Sequence, residues 1–341
     1  MKKNMSSHSG IQPLAGKKYD IVTIGSAVRD IVFYTDEGEL VKNPKNDPTK
    51  LELLGFEHGA KLKSEEVYFM FGGGAANTAI NFSGLGLKTG IIVRTGDDMD
   101  SKDIIKHLGS KKVDTSLIQK DKKNRSGLSY LIVDKNTNEH VVFVYYGSNL
   151  EFQVTPAELK KFNTDWFYVS SIASESWPQI MKALCQKKCK IAWNPGSTQI
   201  KTGFKKMANF LPNIEVMILN KDEATELVLS KNPKSKKLKT QEMLEEIFTW
   251  GPGLVLISDG RSGAWVYDGV KTYFGKPTHG QPKDTTGAGD CFGSTFTAGL
   301  IKTNYNIPKS IKLAIANASS LVMKPGAQEG LLTWQQLIKR L

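Results

Sequence analysis

The chain has 341 residues, 40% of them apolar and 23% charged, with a formal net charge of +12. These values allow one α/β domain with an accessory element, or two domains, around a sizeable core, and no apolar run reaches the roughly 18 residues of a membrane-spanning helix. The positive charge admits nucleic acid or an anionic small molecule as partner, but much of it lies in the Pro-bearing "KNPKSKKLK" at 231–239, which reads as a solvated loop, and no nucleic-acid motif accompanies it.

In chain order, residues 1–18 are basic and polar with no following apolar stretch, and read as a flexible tail rather than a secretory leader. "IVTIG" at 21–25 is a buried strand ending in glycine. A polar, Pro-bearing region follows over 36–66. "EVYFMF" reads as a strand running into "GGGAANTAINFSGLG", a Gly-rich turn and a small-residue helix, and "TGIIVRTGDD" is again strand then turn. "SGLSYLIVD" and "EHVVFVYYG" flank "KNTN" as a β-hairpin.

From 155 the rhythm changes. "TPAELKKF" opens a helix with Thr155 as N-cap and Pro156 at the first position. "WFYVSS", "CKIAWNPG", "IEVMILN" and "GLVLISDG" are short apolar runs separated by helical segments, the alternation of a doubly wound parallel sheet. Ligands gather at the carboxyl ends of such strands, here Gly25, Ser170, Asn194, Asn220 and Ser258. The hairpin and early strands fall outside this rhythm and fit a small separate sheet such as a lid.

Three sparse cysteines, Cys185, Cys189 and Cys291, fit reduced thiols and a cytoplasmic protein. Cys185 and Cys189 make at most half a zinc site, with no Cys or His pair nearby to complete it, and packing is the simpler reading.

"DTTGAGD", Asp284 to Asp290, precedes the apolar run "CFGSTFTAGLI". Glycines 287 and 289 let a ligand approach the backbone, and the N–H groups of Gly287, Ala288, Gly289 and Asp290 form an anion-binding nest at a helix N-terminus. Such donors suit the charge that develops on a transferring phosphoryl group. Asp290 beside the nest is placed to take a proton from an attacking hydroxyl, or merely to complement the helix dipole.

"DTTGAGDCFGSTFTAGL" and "FGGGAANTAINFSGLG" resemble the two signatures of the ribokinase-like (PfkB) carbohydrate kinases, in that family's order, and the resemblance covers roughly residues 20–335. It implies an α/β, ribokinase-like fold: a central, mostly parallel sheet flanked by helices, with a small β lid. The expected layout is one domain over 19–341, with lid strands drawn from about 30–72 and 125–150 and a homodimer formed through the lid. The implied activity is transfer of the γ-phosphoryl group of ATP to a sugar hydroxyl, as in ribokinases and fructokinases. A nucleoside kinase is the alternative, and a catalytically silent nucleotide or sugar sensor the alternative of another class.

The resemblance makes Asp290 the base and residues 287–290 the anion hole. It places Asn220 and Glu223 of "NKDE" at the phosphates and, through water, at Mg²⁺. A helix-capping pair reads equally well there. Ser258, Gly260 and Gly263 of "SDGRSG" match a turn bordering the nucleotide, or a plain hairpin turn. Asn317 matches a position near the adenine, or a helix-packing residue. Asp284 and Thr286 would contribute to a monovalent cation site, such as K⁺. On the acceptor side, Asp30 would bind substrate hydroxyls, with a strand-end surface acid as the other reading. Gly73, Gly74 and Asn77 match the substrate-side Gly-Gly-x-x-Asn, and could equally be a flexible connection and a helix cap. Two departures stand out: 36–66 is long and charged, and Lys283 occupies a position where relatives commonly carry a small apolar residue. No P-loop, protein-kinase element or Gly-x-Ser-x-Gly elbow is present.

Overall fold

Six apolar runs become the parallel strands of one sheet because their side chains are buried on both faces. The structure, a computed structural model, describes residues 17–43, 52–136, 140–160, 162–233, 238–277 and 282–341. Along the chain the elements used below are β1 (Ile21–Ile24), β2 (Val28–Thr35), β3 (Glu66–Gly72), α1 (Gly74–Gly84), β4 (Thr89–Ile92), β5 (Gly127–Asp134), β6 (His140–Tyr145), β7 (Trp166–Val169) and β8 (Lys190–Trp193). They continue with β9 (Val216–Asn220), α2 (Lys221–Lys231), β10 (Leu254–Ser258), β11 (Ala264–Tyr267), β12 (Thr272–Gly275), α3 (Ala288–Lys302) and α4 (Ile307–Leu321).

The central sheet runs in the order β12-β11-β10-β9-β8-β7-β1-β4. The strands from β10 to β4 pair in parallel, and β11 and β12 add an antiparallel edge. Alternation along each strand divides the interior between the two faces. In β7, Phe167 and Val169 enter one core with helices Trp177–Cys185, α2 and Thr240–Thr249. Trp166 and Tyr168 enter the other with α1, α3 and α4.

The strands left over from the βα rhythm form a second sheet in the order β6-β5-β2-β3. The β5–β6 hairpin is antiparallel, as is β2–β3, but β5 and β2 pair in parallel, so the lid is mixed. Gly25 separates β1 from β2, and a Cβ there would sit 2.1 Å from Ser170 Oγ.

Several expectations need correction or fall outside the described residues. Of the tail expected over 1–18, residues 1–16 lie outside them. Lys17 and Lys18 are held: Lys17 pairs with Asp114, and Lys18–Tyr19 pairs in parallel with Asn163–Thr164. In the basic stretch 231–239, residues 234–237 lie outside them. Lys231 is not simply solvated, because its ammonium lies 4.8 Å from the centroids of both the Phe204 and Trp250 rings. Within 36–66, Glu39–Lys42 pairs with Glu52–Gly55, and 44–51 lie outside them. Among the described residues no helix is long and apolar enough to cross a membrane.

Candidate active site

The N-terminus of α3 is built from local backbone chemistry. Gly287 adopts φ 72°, the left-handed region that a side chain strains, and a Cβ there would sit 2.5 Å from Ala327 Cβ. Gly289 differs: apart from its chain neighbours and its own helix, nothing lies within 4 Å of where its Cβ would be, so the space before it is open. The Ala288 N–H donates to Thr285 O at 3.2 Å. It is therefore a turn donor, and this corrects the expectation of four free amides. Among the described residues no hydrogen bond is accepted from the Gly287, Gly289 or Asp290 N–H groups. Three backbone donors without a protein partner thus stand at the positive end of a 15-residue helix, in residues that line the smaller cavity.

Asp290 lies in the first turn of α3, and Asn77 on α1 donates from Nδ2 to its Oδ2 at 2.9 Å. Burial pushes the Asp290 carboxyl up to about 6, against the lowering effect of the Asn77 hydrogen bond. Two cavities meet at this side chain. One, about 490 Å³, lies under the lid and is lined by Asp30, Gly73, Gly74, Asn77, Ser129 and Thr286 among others. The other, about 230 Å³, lies at the carboxyl ends of β8, β9 and β10 and is lined by Asn194, Asn220, Glu223, Ser258 and Gly289 among others. Thr285, Gly287 and Asp290 line both.

The larger cavity takes its polar end from the lid. Asp30 is the third residue of β2, opposite Ser129 of β5 and Met70 of β3, so alternation turns it inward with Val28, Ser129, Leu131, Val142 and Val144. It belongs to a lid strand, not to the end of a core strand. Burial pushes its carboxyl up to about 6, opposed by a hydrogen bond with Ser129. The smaller cavity contains a reciprocal cap: Glu223 N–H donates to Asn220 Oδ1 at 2.8 Å, and Asn220 N–H to Glu223 Oε2 at 2.9 Å. Burial pushes Glu223 up to about 7; Asp222, Asp290 and Glu226 add to the rise, while the Asn220 N–H opposes it. Among the described residues lining this cavity there is no Lys, Arg or His, and a hydrated divalent cation would supply the positive charge.

The pfkB family carbohydrate kinase model matches residues 18–334, which is most of the chain. The chain belongs to the pfkB family of carbohydrate kinases. As a pfkB kinase it is a phosphotransferase. It is 25% identical over 329 residues to an ATP-dependent 6-phosphofructokinase of Thermoanaerobacterium thermosaccharolyticum, covering 91% of this chain and 90% of that protein. It is 20% identical over 333 residues to a nucleoside kinase of Methanocaldococcus jannaschii, covering 96% and 98%. Its fold resembles Arabidopsis thaliana ribokinase complexed with ribose and ATP, with a TM-score of 0.77 at 18% identity, covering 95% of this chain and 98% of that one.

Not every residue that the pfkB signatures imply reaches the site. Asn317 does not face either cavity. It is fully buried in α4, where its Nδ2 donates to Asn81 Oδ1 at 2.9 Å and Thr295 Oγ1 at 2.8 Å, and its Oδ1 accepts from Leu332 N–H at 2.8 Å. With its polar atoms satisfied, it clamps α1, α3 and α4 together, which is the helix-packing alternative. Gly260 and Gly263 form the turn between β10 and β11 and line neither cavity, whereas Ser258 lines the smaller one. Asp284 accepts from Thr286 N–H at 2.8 Å and Gly326 N–H at 2.7 Å, which makes it a brace between two loops. Gly73 has φ 94°, and a Cβ there would lie 2.6 Å from Ser26 O; at Gly74 it would lie 2.8 Å from Ser170 Cβ.

Sequence reading missed Gly72, Ser129, Thr285 and Gln328. Gly72 carried a signal, being the first of three glycines: a Cβ there would lie 2.0 Å from Asp30 Oδ2. Gln328 carried none, because it stands alone in "KPGAQEG".

Proposed function

We propose that the chain transfers the γ-phosphoryl group of ATP to a hydroxyl of an unphosphorylated sugar or sugar moiety. The observation that carries this reading is Asp290, whose carboxyl lies at the junction of the two cavities beside three unpartnered amides. The acceptor occupies the larger cavity, with its hydroxyls at Asp30 and Asn77. The phosphates occupy the smaller one, against the first turn of α3. Asp290 takes the hydroxyl proton as that oxygen attacks, and the Gly287, Gly289 and Asp290 N–H groups receive the charge that builds on the phosphoryl oxygens. Asn220 and Glu223 would hold Mg²⁺ through water. When bound, the ion supplies positive charge to the phosphate oxygens. K⁺ enters as a counter-ion near Thr286 and the Asp284 brace.

The lining of the acceptor cavity narrows the acceptor. Among the described residues it contains no Lys, Arg or His, so nothing there pairs with a second phosphate. Beside Asp30 on the inward face of the lid the lining turns apolar, with Leu131, Val142 and Val144, and Tyr145 and Tyr146 line the cavity too. This favours an acceptor with a polyol end and an apolar end, and so supports the nucleoside reading beside the free sugar. ATP consumption should be measured over ribose, fructose, fructose 6-phosphate, adenosine, cytidine, inosine and guanosine, in Na⁺ and in K⁺. An unphosphorylated acceptor is expected to have the highest kcat/KM, and chelation of Mg²⁺ to abolish turnover. Preference for fructose 6-phosphate would overturn the assignment of the acceptor. ATP binding without turnover on any alcohol would favour the sensor.

The outward face of the lid supports a second copy of the chain as partner. Phe69, Ile31, Tyr130 and Phe143 stand in one row across β3, β2, β5 and β6, with Phe69 62% and Phe143 59% exposed. Sedimentation equilibrium is expected to show a dimer that Phe69→Asp with Phe143→Asp converts to monomer. A monomeric wild-type chain would rule this pairing out.

A further inference from the structure

A chain of side-chain hydrogen bonds leads away from Asp290 toward the lid, through a residue that touches neither cavity. Asn77 Nδ2 donates to Asp290 Oδ2 at 2.9 Å. Asn77 Oδ1 accepts from Gln328 Nε2 at 2.9 Å. The same Gln328 amide donates to Phe71 O, in lid strand β3, at 2.8 Å. Gln328 Oε1 lies 2.7 Å from His107 Nε2.

The polarity of this chain follows from its fixed ends. An ionised carboxylate only accepts, so Asn77 must turn its NH₂ to Asp290 and its oxygen to Gln328. Gln328 must then turn its NH₂ to Asn77, which also satisfies the Phe71 carbonyl, a group that can only accept. Its oxygen is left for His107, which must carry hydrogen on Nε2. Two independent acceptors, Asp290 and Phe71 O, therefore demand the same orientation of one amide.

The surroundings hold Gln328 in place. Gly326 N–H is bound by Asp284, and Ala327 packs beneath Gly287. The His107 ring stacks on Phe71 with centroids 4.4 Å apart, and the Arg29 guanidinium of β2 lies 4.5 Å from the centroid of the Phe71 ring. One loop thus joins the lid strand, the turn before α3 and the residue that orients the base.

We propose that Gln328 is a positioning residue: it holds the Asn77 amide so that it donates to Asp290, and it ties that setting to lid strand β3. This inference rests on Asp290 being the base. Once Gln328 is lost the Asn77 oxygen has no donor, and the contact with Asp290 is the one hydrogen bond left to hold the amide in its setting.

Two substitutions separate orientation from packing. Gln328→Leu removes the donor at similar volume. Gln328→Glu keeps the shape but inverts the chain: the new carboxylate takes the Asn77 NH₂ and leaves the Asn77 oxygen facing Asp290. Both are expected to lower kcat by about 10-fold or more, the scale of a small misplacement at the reacting atoms, while KM for ATP stays within about two-fold. The Asp290 step in the pH profile of kcat/KM is expected to move to higher pH, further for Glu than for Leu. The other ionisable groups felt at Asp290, Glu223, Tyr168 and Cys291, are unchanged in both variants. At the far end, His107 is faced by Phe71 from the lid, Arg29 lies over Phe71, and Asp103 on the helix of His107 pairs with Arg29.

A purely structural role would lower the melting temperature and leave the pH profile where it is. Folded variants with an unmoved Asp290 step overturn the proposal. If neither variant folds, His107→Phe keeps the ring stack and removes only the Nε2 donor. A smaller shift in the same direction is expected there, and no shift overturns the proposal. Asp290→Asn, run in parallel, separates the two levels: an inactive Asn variant with unmoved profiles at 328 sinks the role of Gln328 alone. Near-normal turnover in the Asn variant sinks the base, and with it this inference.

Discussion

Asp290→Asn is expected to lower kcat by about 10²–10⁴-fold, the usual worth of a general base, while ATP still binds. The amide cannot take the acceptor's proton, yet its backbone N–H remains in the first turn of α3, so the phosphate donors survive. Isothermal titration with ATP and steady-state turnover measure the two effects separately. Turnover near the wild-type value would falsify the role. The variant also carries a stability signature. In the folded chain the Asp290 carboxyl is raised from its ordinary 3.8 to about 6, so the fold favours its protonated form. That favourable contribution is complete below about pH 4 and is lost as pH rises through about 6. Above that window Asn at 290 is expected to melt at a higher temperature than the native residue. Thermal melts at pH 5 and pH 8 would show the difference growing with pH. A gain in stability coupled to a loss of rate is what a charge held at a desolvated site for its chemistry predicts.

Asp30→Asn is expected to lower kcat/KM for the acceptor by about 10²–10³-fold, with KM for ATP nearly unchanged. A carboxylate accepts from two hydroxyls at once, and hydrogen bonds to a charged group are each worth about 1.5–3 kcal/mol. The asymmetry between the two substrates is the test: a general loss of fold would affect both, but Asp30 lines only the larger cavity. Its pH behaviour adds a second reading. Asp30 and Asp290 are both pushed up to about 6, and both act in their ionised forms. Acceptor kcat/KM should therefore fall below about pH 6 with a slope approaching two protons, and Asp30→Asn should reduce that slope toward one. A slope of one in the native protein would show that only one of the two carboxylates must be ionised. Gly72 belongs to the same argument: the missing Cβ, which would lie 2.0 Å from Asp30 Oδ2, leaves room for the carboxylate to face the cavity.

Local features of the site were readable in the sequence where the chemistry is local. The Gly287 conformation, the amides at the start of α3 and the Asn220–Glu223 cap each depend on a few consecutive residues. The four apolar runs after residue 165 likewise announce a parallel sheet, because strands covered on both faces have no polar positions to interrupt them. Asn317 was left with two readings for the opposite reason. A single Asn in a small-residue helix looks the same whether it meets a ligand or three helices, and only its partners Asn81, Thr295 and Leu332 decide which. Asp30 was found, but its setting was not. Its inward direction depends on the register with Ser129 and Met70, which no spacing within "SAVRD" contains.

The sequence by itself determined the elements, the anion-binding turn and the family signatures, since hydrophobic period, glycine conformation and capping act over fewer than about ten residues. Tertiary structure alone decided that Asn77 meets Asp290 across 213 residues of chain and that Gln328 meets Asn77 across 251. It also brought the two cavities together at one carboxylate. Those contacts depend on how β3, α1, α3 and the loop after α4 pack. Polar side chains carry no periodic signal of the partner they will find, so such pairs emerge only when the fold closes.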